Sequence, residues 1–194
     1  MASLEANYNA TVIGDEEIHR YLVIFNISKK HNVTSLVYTA LGFGFVPIVV
    51  GLVELIKSVK VKEFLYFATF PELELFLSQR NVPLIAIEIS SSSRSILDNP
   101  YTKSIAFMPG NEGSGLNSTQ RRAANGFIYI PQYGTGTASL NVTVATSIVL
   151  HHYSGWTTES MGVYNSAAVA IDGLEATTSN LIEPAPYTGI DGDG

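Results

Sequence analysis

The spacing of apolar residues predicts strands and helices that alternate along most of the chain. Short continuous apolar runs are typical of strands buried on both faces of a parallel sheet, and they occupy 21–25, 47–52, 64–67, 83–88, 104–109 and 127–130. Helical spacing, or a proline at a first turn, predicts helices over 33–43, 71–80 and 117–125, and a last helix from Ser139. This alternation predicts an α/β fold: a mostly parallel sheet with helices on both faces.

The last helix and the chain ends set the expected domain limits. The expected apolar stripe of that helix consists of Leu140, Val144, Ile148 and Tyr153. Residues 1–20 are polar and acidic and are expected to be a leader or a short helix, so the domain is expected over 21–155. Residues 156–194 are rich in Gly and Pro and are expected to form an extended or partly disordered tail.

The amino-acid composition indicates a globular protein of one domain that is apolar and weakly charged. Of the 194 residues, 46% are apolar and 14% are charged, and none is cysteine. Disulfides and thiolate metal sites are therefore excluded, and no metal is expected.

The charge is unevenly distributed. The net charge is −6, and every Lys and Arg lies at or before Arg122. A surface for nucleic acid needs positive partners for phosphates, so it is expected in the first part of the chain. The candidate phosphate contacts are Lys29, Lys30, Lys57, Lys60 and Lys62. The alternative interpretation is that these are ordinary solvated lysines.

One uncharged stretch, 33–53, is long enough to be tested as a membrane span. Gly42, Gly44 and Pro47 interrupt it, which favours a buried helix, a turn and a buried strand. The first residues lack the basic patch and apolar run of a secretory signal. We therefore expect no membrane association and a cytoplasmic location.

The most informative stretch is a strand, a glycine-containing loop and a helix in succession. Ile130-Pro131 ends the strand, Gly134 and Gly136 lie in the loop, and Ser139-Leu140-Asn141-Val142-Thr143-Val144-Ala145 begins the helix. Such a unit places backbone N–H groups at the carboxyl end of a strand, where open α/β sheets bind ligands. A dinucleotide site is an alternative, but no strand with an acidic tip follows this helix.

Two further motifs lie upstream. Gly110-Asn-Glu-Gly-Ser-Gly-Leu116 follows a predicted strand directly, and Gly110 precedes Ile130 by 20 positions. Asn32 is followed by Tyr38-Thr39-Ala40 and then by Phe43-Gly44. In chain order the first motif is 32–44, the second 110–116 and the third 130–145. In order and spacing these three motifs resemble those of the SpoU (TrmH-like) branch of the SPOUT methyltransferases, over roughly residues 20–155.

This resemblance implies a fold, a cofactor and a reaction. The fold would be an α/β domain with a C-terminal trefoil knot, active as a homodimer. The reaction would transfer a methyl group from S-adenosylmethionine to a ribose 2′-hydroxyl of tRNA or rRNA. The implied cofactor-binding residues, in three loops, are Met108, Gly110, Asn111, Ile130, Gly134, Ser139 and Leu140.

The implied catalytic residues are Asn32, Glu112, Ser139 and Asn141. The Arg of the family's first motif is replaced here by Tyr38, and a phenol does not supply positive charge. Either another base serves, with Lys30 or His31 the nearest, or the partner chain supplies the missing group. The alternative is a catalytically weakened cofactor- or RNA-binding protein. The adjacent His151 and His152 point to different sides of a helix and are interpreted as structural.

Overall fold

The computed structural model describes residues 11–13, 16–57, 59–61, 63–134 and 140–161, which form an α/β fold around one large sheet. The strands described are β1 Thr11–Ile13, β2 Glu16–Ile18, β3 Arg20–Ile24, β4 Val46–Val50, β5 Leu65–Phe67, β6 Leu84–Ile87, β7 Arg94–Ser95, β8 Ile105–Pro109 and β9 Gly126–Tyr129. The helices described are α1 Lys30–Gly42, α2 Val53–Ile56, α3 Phe70–Gln79, α4 Ser118–Ala123 and α5 Val142–Met161, and a 3₁₀ turn spans Ile96–Asp98.

The large sheet has seven strands in the order β5-β4-β3-β8-β6-β9-β7, and every neighbouring pair is parallel. The chain builds outward from β3 through β4 to β5 and then adds the later strands on the other side of β3. Open α/β sheets bind ligands outside the carboxyl ends of the strands where the direction of building changes. The predicted parallel α/β fold is confirmed, and the knot stays a prediction.

Alternating side chains of the central strands divide the core into two layers. Leu22 and Phe107 belong to the buried cluster that includes residues of α1 and α5. Val23 and Met108 belong to a second cluster, with residues of α3. Helices therefore cover both faces, as predicted, and each fully buried aliphatic or aromatic side chain contributes roughly 1.5–3 kcal/mol to stability.

Helix α5 buries a different face from the predicted stripe. Its buried side chains include Val142, Thr146, Val149, Leu150 and Tyr153. Val144 is 48% exposed and Ile148 37% exposed, and Leu140 precedes the helix, so the predicted stripe is wrong except at Tyr153. Repeated steps of four drift around a helix, whereas mixed steps of three and four stay on one face.

The predicted domain limits, 21 and 155, stay a prediction, and described elements lie beyond both of them. The expected leader contains the antiparallel pair of β1 and β2, with Thr11 opposite Ile18. Gly14-Asp15, which separates the two strands in the sequence, has the composition of a hairpin turn. At the other end α5 continues to Met161, so 156–161 is helical. The rest of the expected tail, 162–194, lies outside the described residues.

The uncharged stretch 33–53 separates into α1, a turn, β4 and the start of α2, close to the prediction. Gly44, with φ +73, lies in that turn and takes a conformation that favours glycine. In the described part of the chain, no helix has the length and apolar character that crossing a membrane requires.

Candidate active site

A cavity of about 280 Å³ lies at the carboxyl ends of β6, β8 and β9. Its walls include the ends of these strands, the loop after β8 and the segment that leads into α5. Among the residues that form these walls are Glu88, Gly110, Glu112, Ile130, Leu140 and Val142. The volume lies near the lower end of the range for small-ligand sites, which begins at about 300 Å³. The loop after β8 belongs to the second sequence motif. Ile130, Leu140 and Val142 belong to the third.

Two glycines shape the loop after β8. A Cβ at Gly110 would lie 3.1 Å from the backbone carbon of Gly115 and 2.7 Å from Oε2 of Glu88. Gly115 has φ +65, and a Cβ there would lie 2.7 Å from Oε1 of Glu88. Any side chain at these positions would therefore displace the carboxylate or the backbone. The loop thus depends on glycine at both ends.

Asn111 fastens this loop to the segment after β3. Its Nδ2 donates to the carbonyl oxygen of Asn26 and to Oγ of Ser28, both at 2.8 Å. Its Oδ1 accepts from the backbone N–H of Gly113 at 3.0 Å. The side chain therefore holds the loop of the second motif close to the segment that precedes the first motif.

Glu112 projects a partly unsatisfied carboxylate in the cavity wall. The atom Oε1 is buried and has no hydrogen-bond partner among the described residues. Leaving a buried polar atom without a partner costs roughly 1–3 kcal/mol, and such atoms in a native fold mark places where a ligand or water binds. Glu112 therefore offers the cavity a carboxylate oxygen that can accept a hydrogen bond or a proton from a ligand.

The structure brings together most of the predicted cofactor-binding residues. Gly110, Asn111, Ile130 and Leu140 all line the cavity. Met108 does not line it, because the alternation of β8 directs its side chain into the core below the sheet, where it is fully buried. The neighbouring Pro109 lines the cavity instead.

Two other predicted cofactor positions are not brought to the cavity. Gly134 is exposed and is absent from the described walls. Ser139, predicted as both a cofactor-binding and a catalytic residue, lies in 135–139, outside the described residues. Gly134 and Leu140 flank that segment, and Leu140 does line the cavity.

The other predicted catalytic residues in the described part of the chain, Asn32, Asn141 and Tyr38, are not among the residues that line the cavity, although Asn141 lies between two that do. Asn32, in the first turn of α1, is 1% exposed, and neither Oδ1 nor Nδ2 has a partner among the described residues. Asn141 is exposed, and its Oδ1 accepts from the backbone N–H groups of Thr143 at 2.9 Å and Val144 at 3.4 Å. Asn141 therefore acts as the N-cap of α5. Tyr38 is 46% exposed on α1.

Sequence reasoning missed Glu88 and Arg121. Glu88 lies directly after β6 and lines the cavity, and its Oε1 lies 3.1 Å from Nη2 of Arg121 on α4. The available signal was a charged residue at the carboxyl end of an otherwise apolar predicted strand, which is where α/β sheets place functional groups. From the sequence alone, Glu88 is predicted only as the end of that strand.

The predicted phosphate contacts separate into two groups. Lys29 and Lys30 are exposed at the start of α1, beside the segment that Asn111 fastens. Lys57 and Lys60 are exposed after β4, and Nζ of Lys57 lies 2.7 Å from Oε1 of Glu54. Lys62 lies outside the described residues. Only the first group lies next to a loop of the cavity.

The histidines take no part in the described walls of the cavity. His31, a candidate base, is exposed on α1. His152 contacts the Tyr101 hydroxyl through Nδ1 at 3.0 Å, and the ring of His151 lies 6.2 Å from that of Phe43. These two contacts fit the structural interpretation of His151 and His152. In the described part of the chain, no cluster of three or more His, Asp and Glu residues is arranged to hold a metal ion.

Comparison with known proteins identifies the family to which this arrangement belongs. Residues 19–151, which contain all three motifs, match the SpoU rRNA Methylase family. The chain belongs to the SpoU rRNA Methylase family. This membership confirms the predicted family and the predicted class of enzyme, a methyltransferase of RNA.

Individual SpoU relatives agree in sequence and in fold. The chain is 26% identical over 173 residues to the tRNA (guanosine(18)-2′-O)-methyltransferase of Aquifex aeolicus, covering 82% of this chain and 81% of that one. It is 38% identical over 56 residues to the 23S rRNA (guanosine(2553)-2′-O)-methyltransferase RlmP of Bacillus subtilis, covering 29% of this chain and 22% of that one. The SpoU methyltransferase AviRb of Streptomyces viridochromogenes, crystallised with AdoMet, superimposes with a TM-score of 0.61 at 17% identity. This match covers 73% of the chain and 61% of AviRb.

Proposed function

We propose that the chain transfers a methyl group from S-adenosylmethionine to a ribose 2′-hydroxyl of tRNA or rRNA. The observation that carries this proposal is the cavity at the carboxyl ends of β6, β8 and β9, lined by the second and third motifs of a SpoU chain. The relatives named for 2′-O-methylation of tRNA and of 23S rRNA support the same reaction.

The residues present fit the cofactor. At Gly110 and Gly115 the close approach of backbone and of the Glu88 carboxylate leaves no room for a side chain, so the cavity wall there is formed by backbone. Ile130, Leu140 and Val142 supply apolar walls, and Asn111 and Glu112 supply polar ones. When bound, S-adenosylmethionine supplies an electrophilic methyl group on a sulfonium sulfur.

The chain's own residues must orient the ribose and accept a proton. As the 2′-oxygen bonds to the methyl carbon, the carbon–sulfur bond breaks and the hydroxyl proton has to leave. Glu112, with a buried oxygen that has no partner among the described residues, is the best placed acceptor in the cavity wall. Asn32, whose buried amide also lacks partners among the described residues, is a second group for orientation.

The substrate is expected to approach over the start of α1. Lys29 and Lys30 are exposed there and are suited to phosphates. Tyr38 stands where the family has Arg, so electrostatic stabilisation of the developing 2′-alkoxide must come from elsewhere, or the rate is reduced. Binding of cofactor and RNA without efficient transfer is therefore the second candidate function.

A homodimer is part of the proposal. Tyr38 on α1, and Val144 and Ile148 on α5, are large apolar residues that the described structure leaves more than a third exposed. The two helices pack against each other, and Phe43, which follows α1, touches His151 of α5. Exposed apolar residues on adjacent helices are typical of an interface. A second copy would cover them, and would be a source of the missing cation.

Transfer of labelled methyl from S-adenosylmethionine to purified tRNA and rRNA tests the proposal. Glu112→Gln should lower transfer at least 100-fold, because the change removes the proton acceptor, while binding of the uncharged thioether S-adenosylhomocysteine should stay within a few-fold. Glu159→Gln is the matched control, since it makes the same change on the exposed end of α5. Asn141→Ala is less informative, because it also removes the cap of α5.

Two outcomes would contradict the proposal. Cofactor binding without transfer to either RNA would favour the second candidate function. Failure to bind both S-adenosylmethionine and S-adenosylhomocysteine would exclude both candidates. The location of the protein in the cytoplasm stays a prediction.

A further inference from the structure

The charged side chains in the described walls of the cavity are both negative. They are Glu88 and Glu112, and no Lys, Arg or His is among these walls. The nearest recorded cation is Arg121, whose Nη2 lies 3.1 Å from Oε1 of Glu88. The Arg121 side chain is 47% exposed, whereas that of Glu88 is 18% exposed. The compensating positive charge is therefore the better solvated one of the pair.

Glu88 is held in place through its backbone and its side chain. The backbone N–H of Glu88 donates to the carbonyl oxygen of Ile128 at 2.9 Å, and the backbone carbonyl oxygen of Glu88 accepts from Oγ of Ser93 at 2.7 Å. The carboxylate itself lies against Gly110 and Gly115, in the space that a Cβ at either position would need. The two glycines therefore leave the space in which this charge lies at the cavity wall.

We propose that Glu88 makes the cavity select the positively charged sulfonium cofactor over its neutral thioether product. The proposal rests on the proposed function, in which this cavity binds S-adenosylmethionine. An opposite charge several ångströms away, at an effective dielectric constant of about 20, changes a binding constant by roughly tenfold or more. The thioether product has no charge on sulfur, so it gains nothing from this interaction. Release of the product after methyl transfer is thereby favoured.

Glu112 contributes to the same field, but Glu88 is the residue that separates this role from catalysis. Glu112 is proposed as the proton acceptor, so its removal changes the reaction as well as the charge. Glu88 is paired with Arg121 and is not assigned to the proton. Its substitution therefore tests the effect of charge on the cofactor.

The test is calorimetric titration of the full chain with S-adenosylmethionine, with S-adenosylhomocysteine, and with an analogue that carries an amine in place of the sulfonium. Glu88→Gln keeps the shape of the side chain and removes its charge. We expect affinity for the sulfonium compound to fall about tenfold and affinity for the thioether to change less than twofold. The amine analogue should behave like the sulfonium compound, and Glu159→Gln should change neither affinity.

Arg121→Gln gives a result of opposite sign and keeps the proposal testable if Glu88→Gln does not fold. Removing the guanidinium leaves Glu88 uncompensated, so the preference for the sulfonium compound should rise about threefold or more. Equal losses of both affinities in Glu88→Gln, or a lower preference in Arg121→Gln, would overturn the proposal. A wild-type chain that binds none of the three compounds would instead contradict the proposed function itself.

Discussion

The side-chain amide of Asn111 donates to the backbone carbonyl oxygen of Asn26 at 2.8 Å and so joins the loop after β8 to the segment after β3. Asn26 itself has φ +59, a left-handed conformation that Asn tolerates better than most residues. Its Nδ2 lies 3.3 Å from Oε1 of Gln120, which is a fully buried residue of α4. The loop of the second motif, the segment that precedes the first motif and α4 are thus linked by amide hydrogen bonds.

Replacing this amide by a carboxylate should loosen both loops. Asn111→Asp removes both Nδ2 hydrogen bonds and places a negative oxygen beside the Asn26 carbonyl. We expect a loss of about 1–3 kcal/mol in the free energy of unfolding and at least tenfold weaker binding of S-adenosylhomocysteine, measured by urea denaturation and calorimetry. Ser28→Ala, which removes only one partner, should cost less than about 1 kcal/mol. Unchanged cofactor affinity in Asn111→Asp would show that this link does not shape the cavity.

The buried amide of Asn32 makes a contrasting prediction. Because neither of its polar atoms has a partner among the described residues, Asn32→Ala should lower the free energy of unfolding by less than about 1 kcal/mol. Methyl transfer should nevertheless fall at least tenfold, because the amide is retained for a substrate or a partner chain.

Asn117→Ala is the matched control for Asn32→Ala. The Asn117 side chain accepts from Gln120 N at 2.9 Å and caps α4, so its removal should cost about 1 kcal/mol. A larger loss of stability in Asn32→Ala than in Asn117→Ala would mean that Asn32 is purely structural.

The sequence was sufficient for six of the seven strands of the large sheet and insufficient for β7, for the strand order and for the helix faces. Buried strands such as 105–109 are fully apolar, so their presence follows from simple runs, whereas the two residues of β7 are polar and form no such run. In α5, by contrast, both Val144 and Val149 are apolar, and only the packing against α1 decides that Val149 is buried and Val144 exposed. Glu88 was missed for a related reason, since its role depends on glycines that are distant in sequence but adjacent in the fold.

The exposed apolar face of α5 predicts the oligomeric state. Ile148→Glu introduces a charge where the described structure leaves an isoleucine 37% exposed. If a second copy covers this face, the charge would be buried without a partner, and light scattering should show a dimer for the wild type and a monomer for the variant. Leu75→Glu, on the exposed side of α3, is the control and should leave the dimer intact. A wild-type monomer at micromolar concentration would contradict the prediction.

Burial of tyrosine predicts a loss of stability at alkaline pH. Burial raises the pKa of Tyr153 to about 12, partly opposed by the nearby Arg20, and burial also raises the pKa of Tyr101. An unfolded tyrosine has a pKa of about 10, so between about pH 10 and 12 the folded state holds protons that the unfolded state has lost. The free energy of unfolding should therefore fall as pH rises through this window, by about 2–3 kcal/mol for Tyr153.

The variant Tyr153→Phe separates this titration from packing. It should be less stable at pH 7, because the hydroxyl no longer donates to the carbonyl oxygen of Lys103. Its free energy of unfolding should nevertheless decline less steeply from pH 10 to 12 than that of the wild type, measured by urea denaturation. Equal declines in the two proteins would mean that ionisation of Tyr153 does not contribute to the loss of stability between pH 10 and 12.

The final prediction concerns the position at which this chain departs from its family. Tyr38 is 46% exposed, so Tyr38→Arg should change the free energy of unfolding by no more than about 0.5 kcal/mol. If a guanidinium at position 38 stabilises the developing 2′-alkoxide, as the resemblance of the first motif implies, the transfer rate should rise at least tenfold. Tyr38→Lys should give a smaller gain, because an ammonium lacks the planar fork of donors. Tyr38→Gln should give none, because it is neutral. An unchanged rate in Tyr38→Arg would show that the positive charge is already supplied by another residue, and Lys30→Ala would then test the nearest candidate on the same helix.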